Sequence, residues 1–377
     1  MTRSPRARKA DSTLFAIFIF ASVGTLLTAA LPVAGQQTSL SLGPDGGISF
    51  RPGLRIQSRY RFDDADDNHD IYVARVRFKG SGNAFGVATY ATELKLDNVG
   101  RFDRTVRAQI ENAWVNFELR PEFAVRVGLY DAVFSRDALT SDSKLLQVDR
   151  SLVKDGLTSM GLADNTVGLL LHGRPFGGKL EYAGGAFDNL AFDDLEGEGR
   201  QADGIMVMGR VGYNFLDPAA PAGFADYWSS YIGEGRRLTV AASLARLSDV
   251  EQDGEVFDLI GWGVDLFFGT GPVSFQAEYA NYDSEAPENG QDIEGFGGYV
   301  QAGYLVHPVV ELTGRFQEFD ANGEASGDRL RWTHVGANIY IRSHNLKVQA
   351  DYAIRNEEGA AISRNNNLFQ VQLQLDY

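Results

Sequence analysis

The chain has 377 residues, no cysteine, five histidines and a formal net charge of −15. This excludes disulfide staples, a cysteine nucleophile and any cysteine-based metal site, and leaves little histidine for a metal cluster. The acidic balance also argues against nucleic-acid binding, which needs a positive footprint.

In chain order, residues 1–35 read as a signal peptide. Arg3, Arg6, Arg8 and Lys9 form a basic start, Leu14 to Leu31 an apolar stretch, and Val33-Ala34-Gly35 a small-residue cleavage site. Its removal leaves a net charge of −18. Residues 36–47 form a short flexible lead-in, and residues 48–377 read as one unit. A helical membrane protein is excluded, because each crossing needs roughly 20 consecutive apolar residues and none follows the leader.

From Ile48 onwards apolar and polar residues alternate with the period of a β-strand. The stretch ISFRPGLRIQSRYRF sets Arg51, Arg55, Arg59 and Arg61 on one face, with Ile48, Phe50, Leu54, Ile56, Tyr60 and Phe62 on the other. Arg75, Arg77 and Lys79 alternate with Ala74, Val76 and Phe78, while Glu93, Lys95 and Asp97 oppose Tyr90, Leu94 and Leu96. The run Val106 to Leu119, which includes Arg107 and Glu111, changes phase near Ala113, as a bulge would make it do. Arg126 and Gly128 then alternate with Val125, Val127 and Leu129.

Later runs pair through short turns at Gly177-Gly178, at Gly269-Thr270-Gly271-Pro272, at His307-Pro308 and at Ser343-His344-Asn345. Longer acidic or polar connections occupy 63–70, 188–203, 217–235, 283–292 and 320–328. Short turns alternating with long loops are the pattern of an outer-membrane barrel, with tight periplasmic turns and extended external loops. The expected fold is all-β: a transmembrane antiparallel β-barrel of about 16 strands, its last strand being LFQVQLQLDY with Tyr377 at the end.

A barrel sorts its side chains into a lipid-facing and a lumen-facing set. An arginine on the lipid face costs about 2–4 kcal/mol at the midplane, so the basic faces must look into a wet lumen. The expected pore-lining ladder is Arg51, Arg55, Arg59, Arg61, Arg75, Arg77, Lys79, Arg107 and Arg126. By the same parity Glu93, Glu111, Asp265, Glu278, Glu311 and Asp351 oppose it across the lumen, giving a transverse field. Trp114, Trp262 and Trp332 are expected in interfacial girdles. His334 reads as a satisfied or solvated lumen histidine, and the pairs Asp63-Asp64 and Asp66-Asp67 lack the spacing of a calcium loop. No cofactor, metal or enzymatic activity is expected.

The order and spacing of RIQSRYRFDDAD, YVARVRFKGS, ELKLD, IENAWVNFEL, VRVGLYDAVFSRDALTSDSKLLQVDRSLV and DNTVGLLLHG resemble the phosphate-selective porin O and P family of outer-membrane channels. The resemblance implies a 16-stranded barrel, usually trimeric, with residues 135–164 folded inward as a constriction loop. It implies that Lys144, Arg150 and Lys154 face the pore. The mixed lumen charge favours a general or weakly selective diffusion channel for small ions and polar solutes, phosphate among them, over strict phosphate uptake. The alternative is a non-conducting barrel that displays acidic external loops in a structural or adhesive role.

Overall fold

The computed structural model describes residues 39–42, 47–65, 67–101, 106–188, 201–202, 204–218, 227–252, 255–285, 293–323, 327–357 and 366–377. The signal-peptide segment 1–35 lies outside them, as does most of the connection 188–203. The lead-in is not simply a tail. Leu40–Leu42 (β1) doubles back as a short strand, with Leu40 opposite Phe50 and Leu42 opposite Ile48.

The barrel strands in chain order begin with β2 (Ile48–Asp63), β3 (Asn68–Ala84), β4 (Ala88–Val99), β5 (Arg107–Arg120) and β6 (Phe123–Asp131). After a long insertion come β7 (Asn165–Gly173), β8 (Leu180–Asp188), the two-residue β9 (Gln201–Ala202) and β10 (Ile205–Asn214). The remainder are β11 (Arg236–Gln252), β12 (Glu255–Thr270), β13 (Val273–Glu285), β14 (Ile293–His307), β15 (Val310–Asp320), β16 (Leu330–Arg342), β17 (Leu346–Glu357) and β18 (Leu368–Asp376). Each long strand pairs antiparallel with its neighbours, and β18 closes on β2 with Asp376 opposite Arg55 and Phe369 opposite Phe62. Leaving aside the short β1 and β9, sixteen strands close the ring. Closure leaves no unpaired edge, as a sheet in hydrocarbon requires.

The distribution of polarity is the reverse of a soluble protein's. Phe78, Ile110, Val207, Leu244, Val335 and Leu373 all stand outward and exposed, while Gln57, Gln276, Gln317, Gln374 and Lys347 are fully buried inside. Bulges adjust which residues point inward. In β3 the pairing slips between Gln57 and Ser58, so Tyr72 and Ala74 precede Arg75, Arg77 and Lys79 on the inner face. In β5 the slip lies opposite Glu93 and Leu94, at Glu111, two residues before the expected phase change.

Two connections differ from expectation. The acidic stretch 63–70 is strand at both ends, because β2 runs to Asp63 and β3 starts at Asn68. The connection 215–235 is long, yet it leaves the same rim as the short turns at 85–87, 121–122, 271–272, 308–309 and 343–345. Composition shows that a connection is long and polar, and says nothing of which rim it leaves.

The insertion between β6 and β7 carries two short helices, α1 (Arg136–Leu139) and α2 (Leu152–Ser159), separated by a single 3₁₀ turn at Asp142–Lys144. Ser135 caps α1 and Ser151 caps α2, each hydroxyl accepting from an amide of the first turn. Its apolar residues Phe134, Leu157 and Leu162 join Met206, Met208, Leu259 and Phe319 from the strands in one buried cluster.

Candidate pore and its lining

The insertion lies against the inner faces of the strands, and the wall holds its main chain. Gln57 donates to the carbonyl of Asp142 at 3.3 Å and Gln374 to that of Ser143 at 3.1 Å. Lys347 reaches the carbonyl of Leu145 at 3.0 Å and Asn338 that of Leu146 at 2.9 Å. Arg59 donates to the carbonyl of Val148 at 3.3 Å, and Arg315 to those of Asp149 and Arg150 at 2.9 and 3.0 Å. Buried donors of this kind are costly to leave unpaired, which fixes the segment in place.

A second segment enters from the turn rim. Tyr227 is buried, donates its hydroxyl to Glu181 at 2.7 Å and bridges in parallel to Thr140. Ser230 donates to Glu311 at 2.9 Å, and its carbonyl faces His344 Nε2 at 2.8 Å. The Lys144 ammonium sits 4.2 Å from the centre of the Trp228 ring, which stacks on Tyr231. Nothing in the local sequence distinguishes this segment from an external loop; only its run of aromatics, Tyr227-Trp228 and Tyr231, hints at burial.

The expected ladder divides into three groups. Arg55, Arg59, Arg75, Arg77 and Lys79 face inward, but each is engaged by a carboxylate. Arg59 pairs with Asp149 at 2.7 Å, and Lys79 with Asp376 at 2.6 Å. Arg55 reaches Asp376 at 3.3 Å, while Arg77 contacts both Glu93 at 3.3 Å and Asp97. Arg61 pairs with Asp63 at 2.6 Å, and Arg126 lies 4.2 Å over the Trp114 ring. Arg51 is exposed near the start of β2. Arg107 is opposite Asp97 in register, and its side chain lies outside the described residues.

Four guanidinium groups converge on Asp142 of the insertion. Arg150 approaches at 2.9 Å, Arg75 at 3.1 Å, Arg77 at 3.6 Å and Arg55 at 4.0 Å. Burial pushes the Asp142 carboxyl up, but Arg75, Arg150, Arg77 and Arg55 together hold it well below the usual carboxylate range. Burial also opposes ionisation of Asp149, and Arg59 with the Gln370 hydrogen bond outweighs it. Sequence reasoning missed Asp142 and Asp149, since strand parity carries no information about a loop that docks from elsewhere.

The opposing acids need correction. Glu93 and Glu111 do face the open interior, with Glu111 bound to Lys95 at 2.6 Å. The other four are sealed beneath the two inward segments. Asp265 pairs with Arg210 at 2.5 Å, both side chains almost wholly buried. Glu278 accepts from the Asp137 amide at 3.1 Å, Glu311 from Tyr340 at 2.5 Å, and Asp351 faces His334 Nδ1 at 3.0 Å. Parity assigned the correct face, but not what covers it. The girdle reading also fails for two tryptophans. Trp114 and Trp332 line interior cavities, whereas Trp262 is exposed.

Among the described residues, two polar cavities flank the insertion on the β2–β6 side. One, of about 440 Å³, is lined by nine basic and seven acidic side chains, among them Arg59, Arg61, Arg75, Lys95, Arg150 and Lys154. The other, of about 280 Å³, holds Lys79, Glu93 and Arg126, and Asp131 lines both. A closed barrel with an apolar exterior, a polar interior and charged cavities defines a porin-type outer-membrane channel.

The sequence profile of the phosphate-selective porin O and P family matches residues 50–377, and the chain belongs to that family. An uncharacterized protein from Aquifex aeolicus is 25% identical over 337 residues, covering 78% of this chain and 79% of the relative. Among solved structures, Salmonella typhi OmpF in complex with daunomycin superposes with a TM-score of 0.62 at 11% identity, over 90% of this chain and 100% of that one. The anion-selective porin from Comamonas acidovorans gives 0.59 at 14% identity, over 88% and 99%. The trimer form of OmpT from Vibrio cholerae gives 0.59 at 12%, over 88% and 100%. At these identities the structural likeness speaks for the fold. The family and fold imply a channel rather than an enzyme.

Proposed function

We propose that the chain is a weakly anion-preferring diffusion channel for small ions and polar solutes, phosphate among them. The observation that carries this reading is the lining of the larger cavity, where nine basic side chains, six of them from β2, β3 and the insertion, outnumber seven acids. The two cavities that meet at Asp131 are the outer and inner halves of one path. The insertion 135–164 is its constriction, with Arg150 and Lys154 on the path and Lys144 turned away onto Trp228. An arc of guanidinium groups compensates an anion's lost hydration, and a near balance of charge keeps it from binding tightly. The name of the family and the anion-selective porin among the structural neighbours support the same preference.

The chain is exported by its leader and works as a homotrimer in outer-membrane lipid, an assembly supported by the trimer form of one neighbour. Purified protein in planar bilayers tests the reading. Stepwise conductance with a reversal potential displaced toward the anion in a potassium chloride gradient is expected. Absence of any conductance would instead favour the non-conducting, loop-displaying barrel, and a cation-directed potential would refute the anion preference. Chemical cross-linking in detergent checks the trimer.

A further inference from the structure

We infer that Asp142 is a built-in counter-anion, a carboxylate of the channel's own insertion that fills the position where the arginine cluster would otherwise bind a permeating oxyanion. This rests on the channel reading above and adds the residue that sets its selectivity.

The geometry is that of an anion site with an internal ligand. Both Asp142 oxygens are used: Oδ1 by Arg150 Nη2 at 2.9 Å, and Oδ2 by Arg75 Nε at 3.1 Å, Arg77 Nη2 at 3.6 Å and Arg55 Nη1 at 4.0 Å. Planar guanidinium forks converging from several directions suit an oxyanion, because each can offer paired N–H groups to it. The carboxylate also borders the larger polar cavity, so a dissolved anion in that cavity competes for the same groups.

The cluster does not depend on Asp142 for its shape. Arg55 also holds Asp376 and donates to Ser141 Oγ at 2.7 Å, and Arg77 holds Glu93 and Asp97. Arg75 donates to Gln57 Oε1 at 3.1 Å, and Arg150 to the carbonyls of Asp137 and Thr140. The insertion is equally independent of the carboxylate, since its main chain is held at Asp142 by Gln57 and at Ser143 by Gln374. Removing the Asp142 charge therefore leaves preorganised arginines, three of which, Arg75, Arg77 and Arg150, line the cavity, with one negative charge fewer. Such a site recruits an anion from solution, and a multivalent oxyanion more strongly than chloride.

The test compares wild type with Asp142→Asn, Asp142→Ser and Asp142→Glu in planar bilayers. Reversal potentials are measured in a potassium chloride gradient, and chloride current is followed while potassium phosphate is added. Wild type and Asp142→Glu should show weak anion preference and little inhibition by phosphate. Asp142→Asn and Asp142→Ser should show a several-fold higher anion-to-cation permeability ratio and block of chloride current by phosphate well below the chloride concentration. Serine also clears space for the oxyanion, so it carries the test if the asparagine amide disturbs the cluster. Conducting neutral variants with wild-type selectivity and no phosphate block overturn the inference. A wild-type protein that does not conduct overturns the channel reading instead, and the two failures are thereby told apart.

Discussion

The amide of Ser229 donates to the carbonyl of Lys144 at 3.1 Å, joining a segment that enters from the turn rim to one that enters from the loop rim. This contact, with the Lys144 ammonium over Trp228 and the Tyr227 bridge to Thr140, closes the β10–β17 side of the interior from both ends. A cation–π contact of this type contributes about 0.5–2 kcal/mol, enough to bias a loop between docked and undocked states. Combining Trp228→Ala with Tyr227→Phe should leave the barrel folded and produce larger, noisier single-channel steps. Recordings at fixed voltage check this, and quiet steps of wild-type size would show that the insertion needs no support from that rim.

Gly156 in α2 sits directly on Phe319 of β15. A Cβ placed there would lie 2.0 Å from the ring, so any side chain must push the helix from the wall. Gly156→Val should therefore press α2 toward the larger cavity and lower conductance while leaving heat-modifiable gel mobility, a sign of the closed barrel, unchanged. Adding Phe319→Ala makes room for the valine and should restore conductance toward wild type.

Arg210 and Asp265 form an ion pair at 2.5 Å under the insertion, with side chains 3% and 2% exposed. Removing one partner of such a pair costs about 3–5 kcal/mol, because the other charge is stranded, whereas replacing both with apolar residues is close to neutral. Asp265→Leu should lower the denaturant midpoint of the refolded barrel in detergent far more than Arg210→Met combined with Asp265→Leu. Equal losses in the single and double variants would show that the pair is not the determinant.

The arginines around Asp142 also set a pH dependence. Its folded-state carboxyl titrates below the ordinary value, so it stays ionised and fills the arginine cluster at every pH above about 3.9. It loses its charge only as pH falls further, through the depressed folded-state value. The anion-to-cation permeability ratio should accordingly stay flat from neutral pH down to about pH 4 and rise below it. A rise already near pH 6 would mean that other groups set the selectivity.

Much of the barrel was legible in the sequence, since lipid and lumen impose different chemistry on alternate residues. The arginine face of β2, the hairpin turns and the closing strand ending near Tyr377 all follow from that alternation. The interior was less legible. Arg55 and Asp142 are far apart in the chain, and no periodicity links a strand position to the loop residue that docks on it. Asp265, Glu278, Glu311 and Asp351 were placed on the correct face, yet their cover comes from segments whose path the strand pattern leaves open. By composition the connection 217–235 reads as one more external loop, although its segment 227–235 folds inward from the opposite rim.

The wall grips the insertion by its peptide carbonyls, from Asp142 and Ser143 through Leu145, Leu146 and Val148 to Asp149 and Arg150. Along this stretch the barrel therefore recognises the course of the chain itself, and side chains such as Asp149 add to that grip. The scaffold and the filter are in this sense separate parts: residues such as Asp142 can be exchanged one at a time, changing which solutes pass, without rebuilding the frame that holds them.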